Sequence, residues 1–359
     1  MIKVAEFFDI DNVDSSCFKD MLTDSEFELD RGDILEKSLR EETITGKLYD
    51  ISVKSGCDDQ QIKKFILKNS NSDYYEWGCK EVEFYSKQAE IRDDLPLPMC
   101  FSAGLDKENK STYILLENVE DNYFSYQWPL PPIKIHCAMA VESLAQVHAR
   151  WWGLDEKFKL PNPPDKKNIL DNFKNIADQV SKFSDFLGDR LTKKRKDTLI
   201  KVLEVYPNIV ADRLSNKESL TFKHGDAHLW NFMYPKNIDD KCILLDWQTW
   251  HTGVGAVELA YMIAVHFYSS QRKELEQYML NTYFETLTKN GVINYSSKQL
   301  HSDYVMGVIG HLFTPVRQFS FGVDPEVWWP HLDRVFCAYE ELNCESYLDS
   351  YFSDISIKI

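Results

Sequence analysis

The chain has 359 residues, 43% apolar and 13% aromatic, enough for a large core and, at about 150 residues each, for roughly two domains. A formal net charge of -16 argues against non-specific binding to nucleic acid or anionic membranes. No stretch approaches the roughly 18 apolar residues of a membrane span. Residues 1–16 lack the charged start, apolar run and small-residue site of a secretory signal, so a cytoplasmic protein is expected. The eight cysteines form no C-x-x-C pair and read as reduced thiols.

Residues 1–33 read as an acidic helical segment ending near Arg31-Gly32-Asp33. Three β-leaning runs follow, at 34–39, 47–54 and 64–68, separated by Thr45-Gly46 and by Ser55 to Asp59. Such runs bounded by Gly, Ser and Asp predict an antiparallel meander. Residues 74–90 predict one helix whose apolar positions include Trp77, Val82, Phe84, Tyr85 and Ala89, and two further apolar runs lie at 99–104 and 112–119. Past the prolines 129, 131 and 132 the chain turns mainly helical. Residues 134–152 carry apolar side chains three and four apart and stop at Gly153. Two short β-like runs around a polar loop occupy 221–250, and helices are expected at 255–269, 272–290, 297–318 and 325–347. A sheet followed by helices predicts two unequal lobes. The division expected is a helical segment over 1–33, a sheet lobe over 34–119 and a helical lobe over 120–359.

The chemistry is concentrated in residues 222–231, Phe-Lys-His-Gly-Asp-Ala-His-Leu-Trp-Asn, and 243–248, Ile-Leu-Leu-Asp-Trp-Gln. Phosphoryl transfer asks for a carboxylate that takes or orients the proton of the attacking hydroxyl, an oxygen ligand for magnesium nearby, and a second carboxylate that brings the metal to the nucleotide phosphates. Asp226, Asn231 and Asp246 suit those roles in that order. Five residues from Asp226 to Asn231 suit one tight loop, and fifteen more to Asp246 suit a hairpin that brings the chain back. Hard oxygen donors are what magnesium prefers. A competing reading takes His224, Asp226 and His228 as a metallohydrolase triplet.

The H-G-D-x-H-x-x-N loop followed by L-D-W-Q resembles the aminoglycoside phosphotransferase and choline kinase-like superfamily, and within it most of all the ecdysteroid kinase-like group. The resemblance spans about residues 34–320 and implies an α+β, protein kinase-like two-lobed fold, with a small antiparallel-sheet N-lobe and a large, mainly helical C-lobe. It implies ATP or GTP with Mg2+ as cofactors and a small-molecule alcohol as acceptor; the net charge argues for no nucleic-acid or membrane partner. Phe65-Ile66-Leu67-Lys68 is similar to the strand whose lysine neutralises the nucleotide phosphates, which points to Lys68. Ile66 shares that face, because side chains alternate along a strand, and would line the adenine pocket. Lys64 points to the same face and competes with Lys68. Residues 80–85 resemble the helix that supplies the lysine's acidic partner, Glu81, with Glu83 as competitor. Residues 114–119 resemble the inter-lobe hinge, where the backbone of Glu117, Asn118 and Val119 would meet the adenine edge. His148 falls in a helix similar to the family's long C-lobe helix and reads as structural.

Two positions depart from the family's pattern. The phosphate loop expected over 41–50 carries only Gly46, so hydroxyls and backbone N–H groups would cover the phosphates. This leaves open a catalytically silent, nucleotide-binding homologue. Where the family usually has Asp-Leu-Ala, this chain has Glu258-Leu259-Ala260, which keeps the carboxylate for anchoring the catalytic loop. Trp247 and Gln248 read as packing beside Asp246. Trp250, His251, Phe319, Phe321, Trp328 and Trp329 are candidates to line an acceptor pocket, although aromatic stripes at helical spacing are usually core.

Overall fold

The computed structural model describes residues 4–5, 18, 34–54, 62–88, 95–153 and 161–358. In the helical segment expected over 1–33, Val4–Ala5 form a strand and Phe18 is helical, and the remainder lies outside the described residues. The chain forms two compact units, residues 1–125 with 231–250, and residues 126–230 with 251–359.

The strands are β1 (Val4–Ala5), β2 (Ile34–Glu42), β3 (Gly46–Lys54), β4 (Ile62–Ser70), β5 (Cys100–Asp106) and β6 (Ser111–Glu117). They are followed by β7 (Tyr123–Phe124), β8 (Thr221–Lys223), β9 (Phe232–Pro235), β10 (Ile243–Leu244) and β11 (His251–Gly253). In the first unit β1 to β6 form one sheet in the order β1-β5-β6-β4-β3-β2, antiparallel except for the β1–β5 edge. The expected meander is β2-β3-β4. Alternation explains its core: Tyr49, Ile51 and Val53 of β3 and Phe65 and Leu67 of β4 turn to one side and bury against Phe18, Tyr113 and Leu115. Each such side chain contributes about 1.5–3 kcal/mol of burial. The opposite face of β4 is left to Lys64, Ile66 and Lys68.

The β2–β3 turn is closed by Thr43, whose N–H donates to the Gly46 carbonyl at 2.8 Å and whose hydroxyl accepts the Gly46 N–H at 3.1 Å. No larger residue fits at 46, because a Cβ there would lie 1.8 Å from the Asn69 carbonyl oxygen. Helix α1 (Tyr75–Gln88) is preceded by a short 3-10 turn that Asn71 caps by accepting the Tyr74 N–H at 3.2 Å. It buries Val82, Phe84, Tyr85 and one acid, Glu81. A second, three-stranded sheet, β10-β9-β7, brings residues 231–250 into this unit. Its β9–β10 hairpin sets Ile243 opposite Met233 and Leu244 opposite Phe232, and the Leu245 N–H closes it on the Asn231 carbonyl at 2.9 Å.

The second unit is helical: α2 (Lys134–Arg150), α3 (Lys166–Leu187), α4 (Lys193–Ser215), α5 (Ala256–Ala260), α6 (Ser269–Lys289), α7 (Ser297–His311), α8 (Thr314–Ser320), α9 (Pro325–Glu341) and α10 (Cys344–Lys358). The strands β8 and β11 pair antiparallel within it. Two expected helices are broken. Residues 297–318 divide at Leu312–Phe313 because Pro315, in the first turn of α8, has no N–H to continue the ladder. Residues 325–347 divide at Leu342–Asn343, where Asn343 takes the left-handed φ of 50°. Between α5 and α6 the helix widens into a π turn, Tyr261–Val265.

Phe319 and Trp328, candidates for an acceptor pocket, both pack on Phe183, with ring centroids at 5.3 and 5.4 Å; Trp328 is buried in the core and Phe319 is half-buried. Cys79, Cys100, Cys137, Cys242, Cys337 and Cys344 are free thiols. No described helix is long and apolar enough to cross a membrane.

Candidate active site

In the first unit, β4 and α1 set a cation against buried acid. The Lys68 ammonium lies 2.8 Å from Glu81 and 2.5 Å from Asp246, with the Lys68 side chain 14% exposed and the Glu81 side chain 3%. Burial works against the charge on Lys68, but attraction to Asp246 and Glu81 outweighs it and raises the ammonium's pKa. Burial also pushes the Glu81 carboxyl up, with Lys68 opposing. The competitors lie elsewhere. Lys64 pairs with Asp121 at 2.9 Å and Glu83 with Lys87 at 2.5 Å, both on the surface.

Asp246 follows the β9–β10 hairpin and holds φ at 66°, in the left-handed region that non-glycine residues seldom adopt. The residues after it explain how it is held. Trp247 is fully buried, stacked on Phe84 with centroids 4.0 Å apart, and its indole N–H donates to the Leu244 carbonyl at 3.1 Å. Gln248, 4% exposed, hydrogen-bonds Glu81 and donates to the Thr45 hydroxyl at 3.3 Å, tying the acid to the β2–β3 turn. The sequence reading gave Gln248 only a packing role. Its position two residues after the metal-binding candidate was the available signal. Trp250 is buried too, its indole N–H donating to the Lys80 carbonyl at 2.7 Å.

Ile66 shares the Lys68 face of β4, half-buried. At the end of β6 the Glu117 N–H donates to the Met99 carbonyl at 2.9 Å and the Asn118 N–H to the Lys64 carbonyl at 3.3 Å. Val119 accepts the Asn122 and Tyr123 N–H groups at 3.0 Å, and its own amide has no backbone acceptor among the described residues. Asn231 stands at the start of the hairpin that ends at Asp246, so an amide and a carboxylate share one hairpin base. That hard-oxygen pair fits magnesium, which takes one or two protein oxygens and completes its shell with water and phosphate.

Asp226 belongs to the second unit, on the loop after β8. Gly225, at φ 92°, makes the turn that only glycine adopts readily. Glu258 of α5 anchors this turn. Its Oε2 accepts the His224 N–H and the His148 Nε2–H, each at 2.9 Å, and its Oε1 accepts the Gly225 N–H at 2.5 Å. Because the carboxylate only accepts, His148 carries its proton on Nε2, and its Nδ1 takes the Tyr283 hydroxyl at 2.7 Å. Burial opposes the charge on Glu258, but the hydrogen bond from His148 and the Lys223 ammonium hold its carboxyl well below the ordinary range. The extra methylene of glutamate is compatible with the anchor.

Within the loop the Asp226 N–H donates to His224 Nδ1 at 3.1 Å and the His228 N–H to the Asp226 carbonyl at 2.8 Å. The Tyr261 hydroxyl donates to Asp226 Oδ1 at 2.8 Å, and His228 Nε2 lies 3.7 Å from Oδ2. Burial and the neighbouring Asp226 hold the Tyr261 pKa well above its ordinary value, so it remains a donor. Tyr261 was not singled out from the sequence, although it follows Glu258 by three residues on the same helical segment. In the His224-Asp226-His228 triplet, His224 Nδ1 is spent on the Asp226 backbone amide. Among the described residues no group of three or more His, Cys, Asp or Glu is placed to hold a metal.

A model of the ecdysteroid kinase-like family matches residues 52–292, which take in the Lys68–Glu81–Asp246 cluster and the Asp226 loop. The chain belongs to that family. No curated protein matches it. Among solved structures, a putative aminoglycoside phosphotransferase from Ralstonia eutropha is similar at 11% identity and TM-score 0.54, over 86% of this chain and 93% of that one. A microcompartment-associated aminopropanol kinase is similar at 11% identity and TM-score 0.54, over 88% of this chain and 93% of that one. These likenesses show the fold. This member of the ecdysteroid kinase-like family shares the α+β fold of those two structures, a sheet region followed by a mainly helical one.

Proposed function

We propose that this protein is a phosphotransferase that moves the γ-phosphoryl group of ATP or GTP to a hydroxyl of a small molecule. The observation that carries the reading is the Lys68 ammonium held between buried Glu81 and half-exposed Asp246. A lysine on a buried acid, beside a carboxylate open to solvent, is the nucleotide-phosphate and metal apparatus of a kinase. In this reading Glu81 fixes Lys68 for the α- and β-phosphates. Ile66 lines the adenine pocket, and the backbone of Glu117 to Val119 meets the adenine edge, with the Val119 amide as donor. Asn231 and Asp246 would hold magnesium, which when bound neutralises charge on the phosphates. Asp226 accepts the proton of the acceptor hydroxyl as its oxygen bonds to the γ-phosphorus and the bond to the β-phosphate oxygen breaks. Tyr261 donates to Asp226 Oδ1 and fixes the orientation of the carboxylate. Positioning and charge neutralisation supply most of the catalysis.

Calorimetry of ATP binding with and without Mg2+ tests the nucleotide half of this reading. The wild type should bind in a Mg2+-dependent manner, Lys68→Met should weaken binding at least tenfold, and Asp246→Ala should remove the Mg2+ dependence. Unchanged binding in both variants would reject the assignment. Mg2+-dependent binding without turnover on any alcohol would favour the silent, nucleotide-binding homologue.

A further inference from the structure

The β2–β3 turn stands where a glycine-rich phosphate loop is expected, and within the first unit it is tied down from two sides. Its one glycine does not loosen it. A Cβ at Gly46 would lie 1.8 Å from the Asn69 carbonyl oxygen and 2.9 Å from the Ser70 Cα, so the turn is pressed against the end of β4.

On one side is Asn71, in the cap before α1. Its backbone N–H donates to the Thr45 carbonyl at 3.0 Å and its side-chain NH2 to the Ile44 carbonyl at 3.1 Å, while its Oδ1 accepts the Tyr74 N–H at 3.2 Å. One asparagine therefore joins both carbonyls at the tip of the turn to the start of the helix that carries Glu81. On the other side is Gln248. Its side-chain NH2 carries two hydrogens and finds two acceptors, the Glu81 carboxylate and the Thr45 hydroxyl oxygen at 3.3 Å. With Thr45 accepting from Gln248, its own hydrogen is left for Thr43 Oγ1, 3.4 Å away, and the Thr43 hydroxyl donates to the Gly46 carbonyl at 3.0 Å. The donors run in one direction, from the amide beside Asp246 through two hydroxyls to the far end of the turn. Gln248 is 4% exposed, so its bonds are made away from water, where an unmade bond is costly.

We infer that Asn71 and Gln248 are positioning residues for the nucleotide phosphates: they hold residues 43–46 as a preformed cover, so that the turn, α1 with Glu81 and the base of the Asp246 hairpin shift as one piece, and the turn does not close on the nucleotide by itself. The inference rests on the phosphotransferase reading for what the turn covers, but not for the pinning. A flexible loop loses its freedom when a ligand binds and so weakens the binding; a turn already held by the fold does not.

The test combines amide hydrogen exchange with calorimetry of ATP binding in Mg2+, both on the full chain. Asn71→Asp keeps the acceptor for the Tyr74 N–H and loses the donor to Ile44. Thr45→Val loses the hydroxyl, and Thr45→Ser keeps it. In the wild type the Thr43 and Gly46 amides, hydrogen-bonded within the turn, should exchange slowly without nucleotide and no more slowly with it. Asn71→Asp and Thr45→Val should each speed that exchange and weaken ATP binding about three- to tenfold, the weight of one hydrogen bond, while Thr45→Ser stays at the wild-type value. Gln248→Leu added to Thr45→Val should speed the exchange no further, because the two side chains share one bond. Wild-type amides that exchange freely until ATP is added, or an exchange rate or an affinity that neither Asn71→Asp nor Thr45→Val changes, would overturn the inference. Failure of the phosphotransferase reading looks different: the wild type binds no ATP although the variants still speed the exchange, and the pinned turn then covers no phosphate.

Discussion

Replacing Glu258 with glutamine keeps the side chain's shape and removes one capacity, that of accepting on both oxygens. The native carboxylate takes three hydrogen bonds, two on Oε2 and one on Oε1. The better amide orientation keeps its oxygen at the Oε2 position, where the His224 N–H and His148 Nε2–H remain served. Its NH2 then opposes the Gly225 N–H, and flipping the amide would oppose two donors instead of one. The smaller loss is therefore one hydrogen bond to a charged acceptor plus a buried donor left unpaired, about 2–4 kcal/mol. Equilibrium urea denaturation of wild type and Glu258→Gln measures it. A midpoint shift equivalent to less than about 0.5 kcal/mol, at unchanged slope, would refute the view that Glu258 holds the Asp226 loop.

Two further outcomes follow from the same geometry. Gly46→Ala drives a methyl group toward the Asn69 carbonyl, 1.8 Å from the Cβ position, and should cost about 1–3 kcal/mol by urea denaturation while disturbing the Thr43–Gly46 turn. Stability should also fall as pH drops below neutrality. Burial lowers His331 to about 3 and His311 to about 4, and holds His266 well below its ordinary value. These groups stay neutral in the folded protein while the unfolded chain takes up protons below about 6.5. Their contribution is fully present above that pH and is lost as pH falls toward about 4, at up to about 1.4 kcal/mol per pH unit for each group. Calorimetric Tm should drop between pH 7 and pH 5, and His331→Gln should flatten the slope. A Tm unchanged across that window would contradict the burial argument.

Much of the fold can be read from patterns. The meander at 34–70 follows from alternation bounded by Gly and Ser, and the α1 helix from its apolar spacing. The β9–β10 hairpin was expected from the fifteen residues that separate Asn231 from Asp246. Helix breaks were less visible. Pro315 is a legible stop that was passed over within an otherwise periodic stretch, and the turn at Asn343 depends on a left-handed φ that composition does not announce.

For the site residues the limit was geometric. Period-two alternation cannot separate Lys68 from Lys64, and although Glu81 and Glu83 lie on opposite sides of their helix, the spacing alone does not say which side meets the lysine. What distinguishes them is where their partners lie, a property of the tertiary structure. Tyr261 was missed for a different reason. A π turn departs from the 3.6-residue period, so the side it faces cannot be read from helical spacing. The aromatic richness of 319–329, by contrast, suggested a pocket where Trp328 is core, as such stripes usually are.

The most direct measurement is transfer of labelled γ-phosphate from ATP to a pooled library of small alcohols in the presence of Mg2+, comparing wild type with Asp226→Asn. The wild type should label at least one alcohol, and Asp226→Asn, folded with an unchanged Tm, should lose that transfer by a factor of a hundred or more. Near-wild-type transfer by Asp226→Asn would contradict the account at its centre.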